Sequence, residues 1–218
     1  MKRPLVAFRL LHSLLAVLVI TLVATGTGCS TPGATERFYA FSDGSSSTGA
    51  PVALSNALPG IVISAVTVPE LVDRPQIVTR DGGNRVNVAE QQLWAEPVKN
   101  GIARVLAVRL ERTLAEAGRP TRVAAYPQTS IANPDVRITI DVQRCDAVPG
   151  GDAVIDALWS VRRTSDNSVR TGRTVAVRPI SIPAYDDTVR AWSEALEMLN
   201  KDIAAVVAKI DLAAPASR

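Results

Sequence analysis

Between residues 136 and 143 apolar and polar side chains alternate without a break: Val136, Ile138, Ile140 and Val142 against Arg137, Thr139, Asp141 and Gln143. Only an extended chain sends every second side chain to one face, so this segment predicts a strand with one dry side and one wet side. A sheet built on such a strand is antiparallel or mixed, and it needs cover on one face. The rest of the chain supplies that cover. From Pro97 the apolar spacing changes to three and four, through Val98, Ile102, Val105, Leu106, Leu110 and Leu114, until Gly118-Arg119-Pro120 stops it. A second and cleaner stripe runs through Val189, Trp192, Leu196, Leu199, Ile203, Val206, Val207 and Ile210, with Asp187 placed to cap the helix that carries it.

Further strands are predicted at 36–41, 61–68, 76–80, 85–90, 121–127, 153–164 and 169–180. The run I-V-I-S-A-V-T-V (61–68) is apolar on both parities except at Ser64 and Thr67, which suits cover on both faces. D-G-G-N between 76–80 and 85–90, and S-D-N-S between the last two runs, are hairpin turns. Residues 42–60, rich in Gly, Ser and Ala, read as a mobile loop. The order is β, β, hairpin, α, β, β, hairpin, α. It defines an α/β fold: a single domain over 36–212 with a mixed β-sheet packed by two long amphipathic helices, followed by a disordered tail at 213–218. Cys145 falls on the polar parity of its strand and is expected to be less buried than a core cysteine.

The first residues are not part of that domain. Lys2, Arg3 and Arg9 precede an apolar run at 13–25, and the small residues of G-T-G-C-S (26–30) follow it. A basic start, a short apolar core and a small-residue exit are the pattern of a secretory signal. At about 1.5 Å per residue the apolar core is shorter than the ~30 Å hydrocarbon layer. Cys29 after the small residues resembles the acylated cysteine of a bacterial lipobox, although Gly26 stands where that motif usually has leucine. The pattern predicts a lipoprotein signal peptide at 1–28 and a lipidated tether at 29–35, with Cys29 as the lipid attachment. Acylation anchors because each buried CH₂ contributes ~0.8 kcal/mol. Ser30, where a retention signal would place Asp, points by resemblance to the periplasmic face of the outer membrane.

Removing the leader changes the electrostatics. The whole chain has 24 Lys and Arg against 21 Asp and Glu. Three of the basic residues and no acidic one lie in 1–28, so the mature chain is balanced, and the pI of 9.1 belongs to the signal. No compositional support for nucleic-acid binding is left. The only histidine, His12, goes with the leader. No histidine triad, histidine metal site or histidine proton shuttle is therefore available. Once Cys29 is acylated, Cys145 has no partner for an internal disulfide. No nucleophile elbow, phosphate loop or calcium loop occurs, so no catalytic residue, metal ligand or cofactor is assigned. Asp186 and Asp187 read as a helix start; a hydrolase using carboxylates alone would have to use them. Arg162, Arg163, Arg170, Arg173 and Arg178 crowd the second hairpin, either as a solvated, charge-protected edge or as a contact for lipid phosphate or an acidic partner.

One stretch stands apart. V-P-E-L-V-D-R-P-Q-I-V-T-R (68–80) places a charged corner with two prolines between two strands, and W-A-E-P-V (94–98) leads into the first helix. Pro69 ends strand pairing and Pro75 holds Arg74 extended, so the corner presents Glu70, Asp73 and Arg74 in a set orientation. They are the candidate partner surface; the structural alternative is that Asp73 and Arg74 tie the corner to the hairpin that follows. Trp94 reads as a core plug at the helix entrance, with Pro97 in the first helical turn. These two stretches, with the acceptor cysteine, the early R-F-Y-A-F strand and the terminal helix, resemble the ABC-type transport auxiliary lipoprotein family, to which PqiC-like lipoproteins belong. The resemblance spans roughly residues 29–210. It implies an α/β sandwich and an auxiliary role in intermembrane lipid transport. The partners it implies are an Mce-domain periplasmic protein with its ABC transporter or inner-membrane components. Homo-oligomerisation would suit a receptor at the end of a symmetric channel. The alternative is a periplasmic lipid-binding carrier with its own apolar cavity.

Overall fold

The computed structural model describes residues 35–44, 58–127 and 130–212. The chain divides into two units, Met1–Thr35 and Glu36–Arg218, and the fold is that of the second. The signal segment, Cys29, the tail at 213–218 and most of the loop expected at 42–60 lie outside the described residues.

The described residues hold eight strands and two helices, in the order β1 (Arg37–Tyr39), β2 (Gly60–Thr67), β3 (Gln76–Arg80), β4 (Val86–Trp94), α1 (Val98–Glu116), β5 (Arg122–Ala125), β6 (Val136–Ala147), β7 (Asp152–Arg163), β8 (Val169–Pro179) and α2 (Tyr185–Val207). The expected mixed sheet has five strands in the order β5-β2-β6-β7-β8. Its first three strands are parallel to one another, and β6, β7 and β8 form an antiparallel meander. The other strands make a second, three-stranded sheet, β1-β4-β3, in which the hairpin β3–β4 is joined on its β4 side by β1 running parallel. Helix α1 lies across β5 and β2, and α2 across β7 and β8, so both helices cover one face of the larger sheet.

The apolar spacing of each helix is its buried face. In α1 all six periodic residues from Val98 to Leu114 are buried; in α2 Val189, Trp192, Leu196, Leu199, Ile203 and Val207 are. Pro97 is the residue before the first helical turn rather than within it, and its carbonyl accepts from the amides of Asn100 and Gly101. At the other end Gly118, at φ +72°, turns the chain so that the amides of Gly118 and Arg119 reach back to the carbonyls of Ala115 and Leu114. Arg119 then donates to the carbonyls of Ala208 and Ile210, placing a cation at the C-terminus of α2 where the helix dipole favours it. Arg109, 5% exposed, donates to the carbonyls of Ser193 (2.7 Å), Ser42 (2.6 Å) and Asp43 (3.3 Å), and so ties the chain after β1 to both helices. Burial lowers the Arg109 pKa, opposed by the carboxylate of Glu197.

Three expectations are corrected. Asp187 is not the cap of α2: the helix is entered from Ala184, and Asp186 and Asp187 occupy its first turn, with Asp187 paired to Arg190. Cys145 is buried, at 3% exposure. The β6–β7 register slips between Val142 and Arg144, so Gln143 is an extra residue and the parity of the strand inverts after it. Burial, with the neighbouring Asp146 charge, pushes the Cys145 thiol up to about 12, so it is protonated and unreactive at neutral pH. The run at 61–68 is covered on both faces only as far as Ile63; a second register shift at Ser64 opens its outer side.

Asp156 lies buried beneath Arg173, which donates to it at 2.9 and 2.7 Å. Those hydrogen bonds hold its carboxyl below the ordinary carboxylate pKa, against the opposing effect of burial. The folded state thus binds this proton less readily than the unfolded chain. The resulting stability is fully present above about pH 4 and is lost as pH falls through the depressed folded value. In urea titrations from pH 5 downward, Asp156→Asn is expected to start less stable and to lose less on acidification than the parent. Parallel curves would show that this pair does not contribute to the acid limb.

Candidate functional site

Strand β2 ends at Thr67, and Val68 and Pro69 leave the sheet. The Pro69 carbonyl accepts from the amides of Val72 (3.0 Å) and Asp73 (3.2 Å), which closes a single tight turn. Val72 points into the core, so Glu70, Asp73, Arg74 and Pro75 are left exposed. The Pro75 carbonyl accepts from the Trp94 amide at 2.7 Å, and Ala95 donates to the Tyr39 carbonyl at 2.8 Å. The two stretches that stood out in the sequence are therefore stitched together by backbone hydrogen bonds.

Between them runs a groove of about 460 Å³, bordered by Asp73, Arg74 and Pro75 on one side and Ala95, Glu96, Pro97 and Lys99 on the other, with Trp94 between. Trp94 is 7% exposed, as a core plug should be; its ring lies 4.6 Å from that of Phe41 and 5.8 Å from that of Trp192. Asp73 accepts from Lys99 Nζ at 2.9 Å. The corner is thus tied to the start of α1 and not, as the structural alternative had it, to the β3–β4 hairpin. Glu96 accepts from Arg104 Nε (3.0 Å) and Nη2 (2.7 Å), and Arg104 also donates to the Phe41 carbonyl. Both pairs are partly exposed, so they orient side chains more than they stabilise the fold.

Of the three predicted surface residues, Asp73 and Arg74 border the groove and Glu70 projects from the turn beside it. The Arg74 guanidinium has no ion-pair or hydrogen-bond partner among the described residues, and neither has the Glu70 carboxylate. With Asp73 and Glu96 neutralised, the groove carries one uncompensated positive charge flanked by the rings of Pro75 and Pro97. That suits a partner offering a carboxylate and some apolar surface. Glu96 lies within the W-A-E-P-V stretch, whose sequence assigns it no role, and Lys99 and Arg104, just beyond that stretch in α1, carry no sequence signal.

The arginines of the second hairpin do not gather. Cross-strand partners share a face, and Arg162 lies opposite Val169 while Arg170 lies opposite the core residue Val161, so these two are on different faces. Arg173 is taken up by Asp156, Arg163 pairs with Asp166 at 3.5 Å, and Arg178 donates to the carbonyl of its neighbour Val177. Asp186 and Asp187 remain a helix start. Among the described residues no cluster of His, Cys, Asp and Glu could hold a metal ion, and no helix is long and apolar enough to cross a membrane.

Two sheets, two covering helices and a pre-formed surface groove define a single-domain α/β protein whose candidate site is a contact surface. The chain belongs to the family of ABC-type transport auxiliary lipoprotein components, whose model matches residues 39–204. The groove lies wholly within the matched region. Membership makes the protein a membrane-anchored periplasmic lipoprotein of an ABC-type transport system, in a family that is not one of enzymes. No curated protein matches the chain. Two solved structures share the fold. One, a crystal structure of an uncharacterized protein, is 18% identical with a TM-score of 0.62, over 79% of this chain and 99% of that one. The other is XCC0632 from Xanthomonas campestris, of family DUF330, also 18% identical, with a TM-score of 0.53 over 70% of this chain and 88% of that one.

Proposed function

We propose that this protein is the outer-membrane receptor of an intermembrane lipid-transport system, docking an Mce-domain conduit through the groove at Asp73, Arg74, Pro75 and Glu96. The observation that carries the reading is that the two stretches most like the family converge on one exposed groove with an unpartnered Arg74 at its border. Acyl chains on Cys29 hold the domain at the periplasmic face of the outer membrane, and the tether of 29–35, at most about 3.5 Å per residue, keeps it close to the bilayer. The role is positional: the protein makes and breaks no bond, and it needs no cofactor. The domain proper runs from 36 to 212.

The test is a crosslinking pull-down from membranes with the tagged full-length protein, alongside Arg74→Glu and Cys29→Ala. Recovery of an Mce-domain protein is expected from the parent and is expected to fall several-fold with Arg74→Glu, because a reversed charge repels the carboxylate it should receive. Cys29→Ala is expected to leave the outer-membrane fraction. Equal recovery from Arg74→Glu would move the docking surface elsewhere; recovery of outer-membrane or cell-wall components alone would end the transport reading.

A further inference from the structure

The larger sheet turns one face to the helices and the other outward, and its register fixes what stands side by side on the outer face. Arg137 on β6 is directly opposite Arg162 on β7. Both are exposed, and neither guanidinium has an ion-pair or hydrogen-bond partner among the described residues. Opposed residues in an antiparallel pair have Cβ atoms about 5 Å apart, and like charges so placed repel. Two unneutralised guanidinium groups at that spacing are suited to a phosphate, which accepts paired N–H groups from each.

The next row along the strands is Ala65, Thr139, Ser160 and Thr171, in line across four strands. The Thr139 and Ser160 hydroxyls are 2.7 Å apart. Then come Asp141 and Leu158. Asp141 is satisfied on both oxygens, by Thr67 and by Gln143, each at 2.7 Å, and it stands about 13 Å along β6 from Arg137. Further on, Leu158, Val175 and Val177 are 44%, 51% and 46% exposed, all on this outer face. A shallow trough of about 580 Å³ lies over the hydroxyl row and Leu158.

We propose that this face binds one phosphate-bearing lipid, with its phosphate on Arg137 and Arg162, its ester region over the Thr139–Ser160–Thr171 row, and its acyl chains along Leu158, Val175 and Val177. A lipid fits better than a free anion because the surface passes from basic through hydroxyl to apolar over roughly 27 Å of strand, from the Arg162 row to Val177. It fits better than an acidic protein segment because beyond the arginine pair Arg173 is already taken up by Asp156, while Asp141, hydrogen-bonded only by the neutral Thr67 and Gln143, keeps a negative charge that repels an acidic chain. The inference rests on the transport reading for its supply of lipid. It does not use the docking groove.

The test is calorimetric titration of the full-length lipidated protein, in a maltoside detergent, with dihexanoyl phosphatidic acid below its micellar concentration. Inorganic phosphate and an all-glutamate peptide are run in parallel. Saturable one-to-one binding of the lipid is expected. It should weaken about tenfold or more in Arg137→Gln/Arg162→Gln, with a smaller loss in Leu158→Ser. Circular dichroism checks that each variant is folded. Inorganic phosphate binding as tightly as the lipid would reduce the site to an anion contact; tighter binding of the peptide would make it a protein surface. Either result, or lipid affinity unchanged in the arginine variant, overturns the proposal. The assay contains no partner protein, so its failure leaves the docking reading standing, and a failed pull-down leaves this one.

Discussion

Trp94→Ala is expected to cost about 3–5 kcal/mol of unfolding free energy, the range for removing a large aromatic from a core. Trp94 is the middle member of a row of three rings, between Phe41 after β1 and Trp192 on α2. The indole N–H of Trp192 in turn donates to the Asp146 carbonyl of β6 at 3.0 Å. One side chain thus joins the smaller sheet, the C-terminal helix and the larger sheet, and it supports the groove from beneath. Urea denaturation of the parent, Trp94→Ala and Trp94→Phe measures the effect, with Trp94→Phe expected to keep most of the stability that the alanine loses, because it leaves a ring in the row. In the pull-down that tests the proposed docking, the same alanine variant should recover less of the proposed Mce-domain partner even under conditions where it is folded, since Pro75 and Ala95 lose the wall between them. A loss below about 1 kcal/mol, the size of an average substitution, would mean that Trp94 is not the join between the two sheets.

The helices could be read from the sequence because their signal is local. Val98 to Leu114 and Val189 to Val207 are spaced by the helix period, and burial follows that spacing at every predicted position but Val206, which is half-buried. The strands were legible one at a time for the same reason. Their division into two sheets was not, because it depends on pairings between distant segments: β1 with β4, fifty-five residues on from Arg37 to Gln92, and β2 with β6. Cys145 shows how one residue defeats a parity argument. Nothing in Q-R-C-D announces that Gln143 is skipped, yet that skip moves Cys145 from the solvent side to the core.

The candidate site was legible in its conspicuous half. Proline-punctuated charges at 69–75 and W-A-E-P-V mark a surface that the backbone must hold rigidly. The bonds that shape it, Lys99 to Asp73 across 26 residues and Arg104 to Glu96 and Phe41, appear only when α1 is docked. The basic hairpin misled for a related reason. Sequence proximity directs attention to β7 and β8, whereas the neighbour of Arg162 that matters is Arg137, on the other side of the strand.

Gly172→Ala is expected to be the second most damaging change, at about 3 kcal/mol, the upper end for overpacking a well-filled core. Gly172 is directly opposite Trp159 in the β7–β8 pair. A Cβ there would stand 2.1, 2.4 and 2.6 Å from three atoms of the indole, far inside the 3.5–4.0 Å at which carbon atoms attract. The ring lies across the bare glycine and cannot simply lift away. Its N–H donates to Thr174 Oγ1 at 3.1 Å, and that hydroxyl donates to Asp202 on α2 at 2.6 Å. Moving the indole would break the chain that ties β8 to the helix covering it. The glycine is therefore a seat for the ring, in a strand where alanine or valine would otherwise be favoured. A double-mutant cycle isolates this contact. In the background of Trp159→Leu, where no indole remains, Gly172→Ala is expected to be neutral or stabilising, giving a coupling of about 2–3 kcal/mol. If the two changes instead add to within about 0.5 kcal/mol, the destabilisation comes from the strand backbone and not from the seated indole.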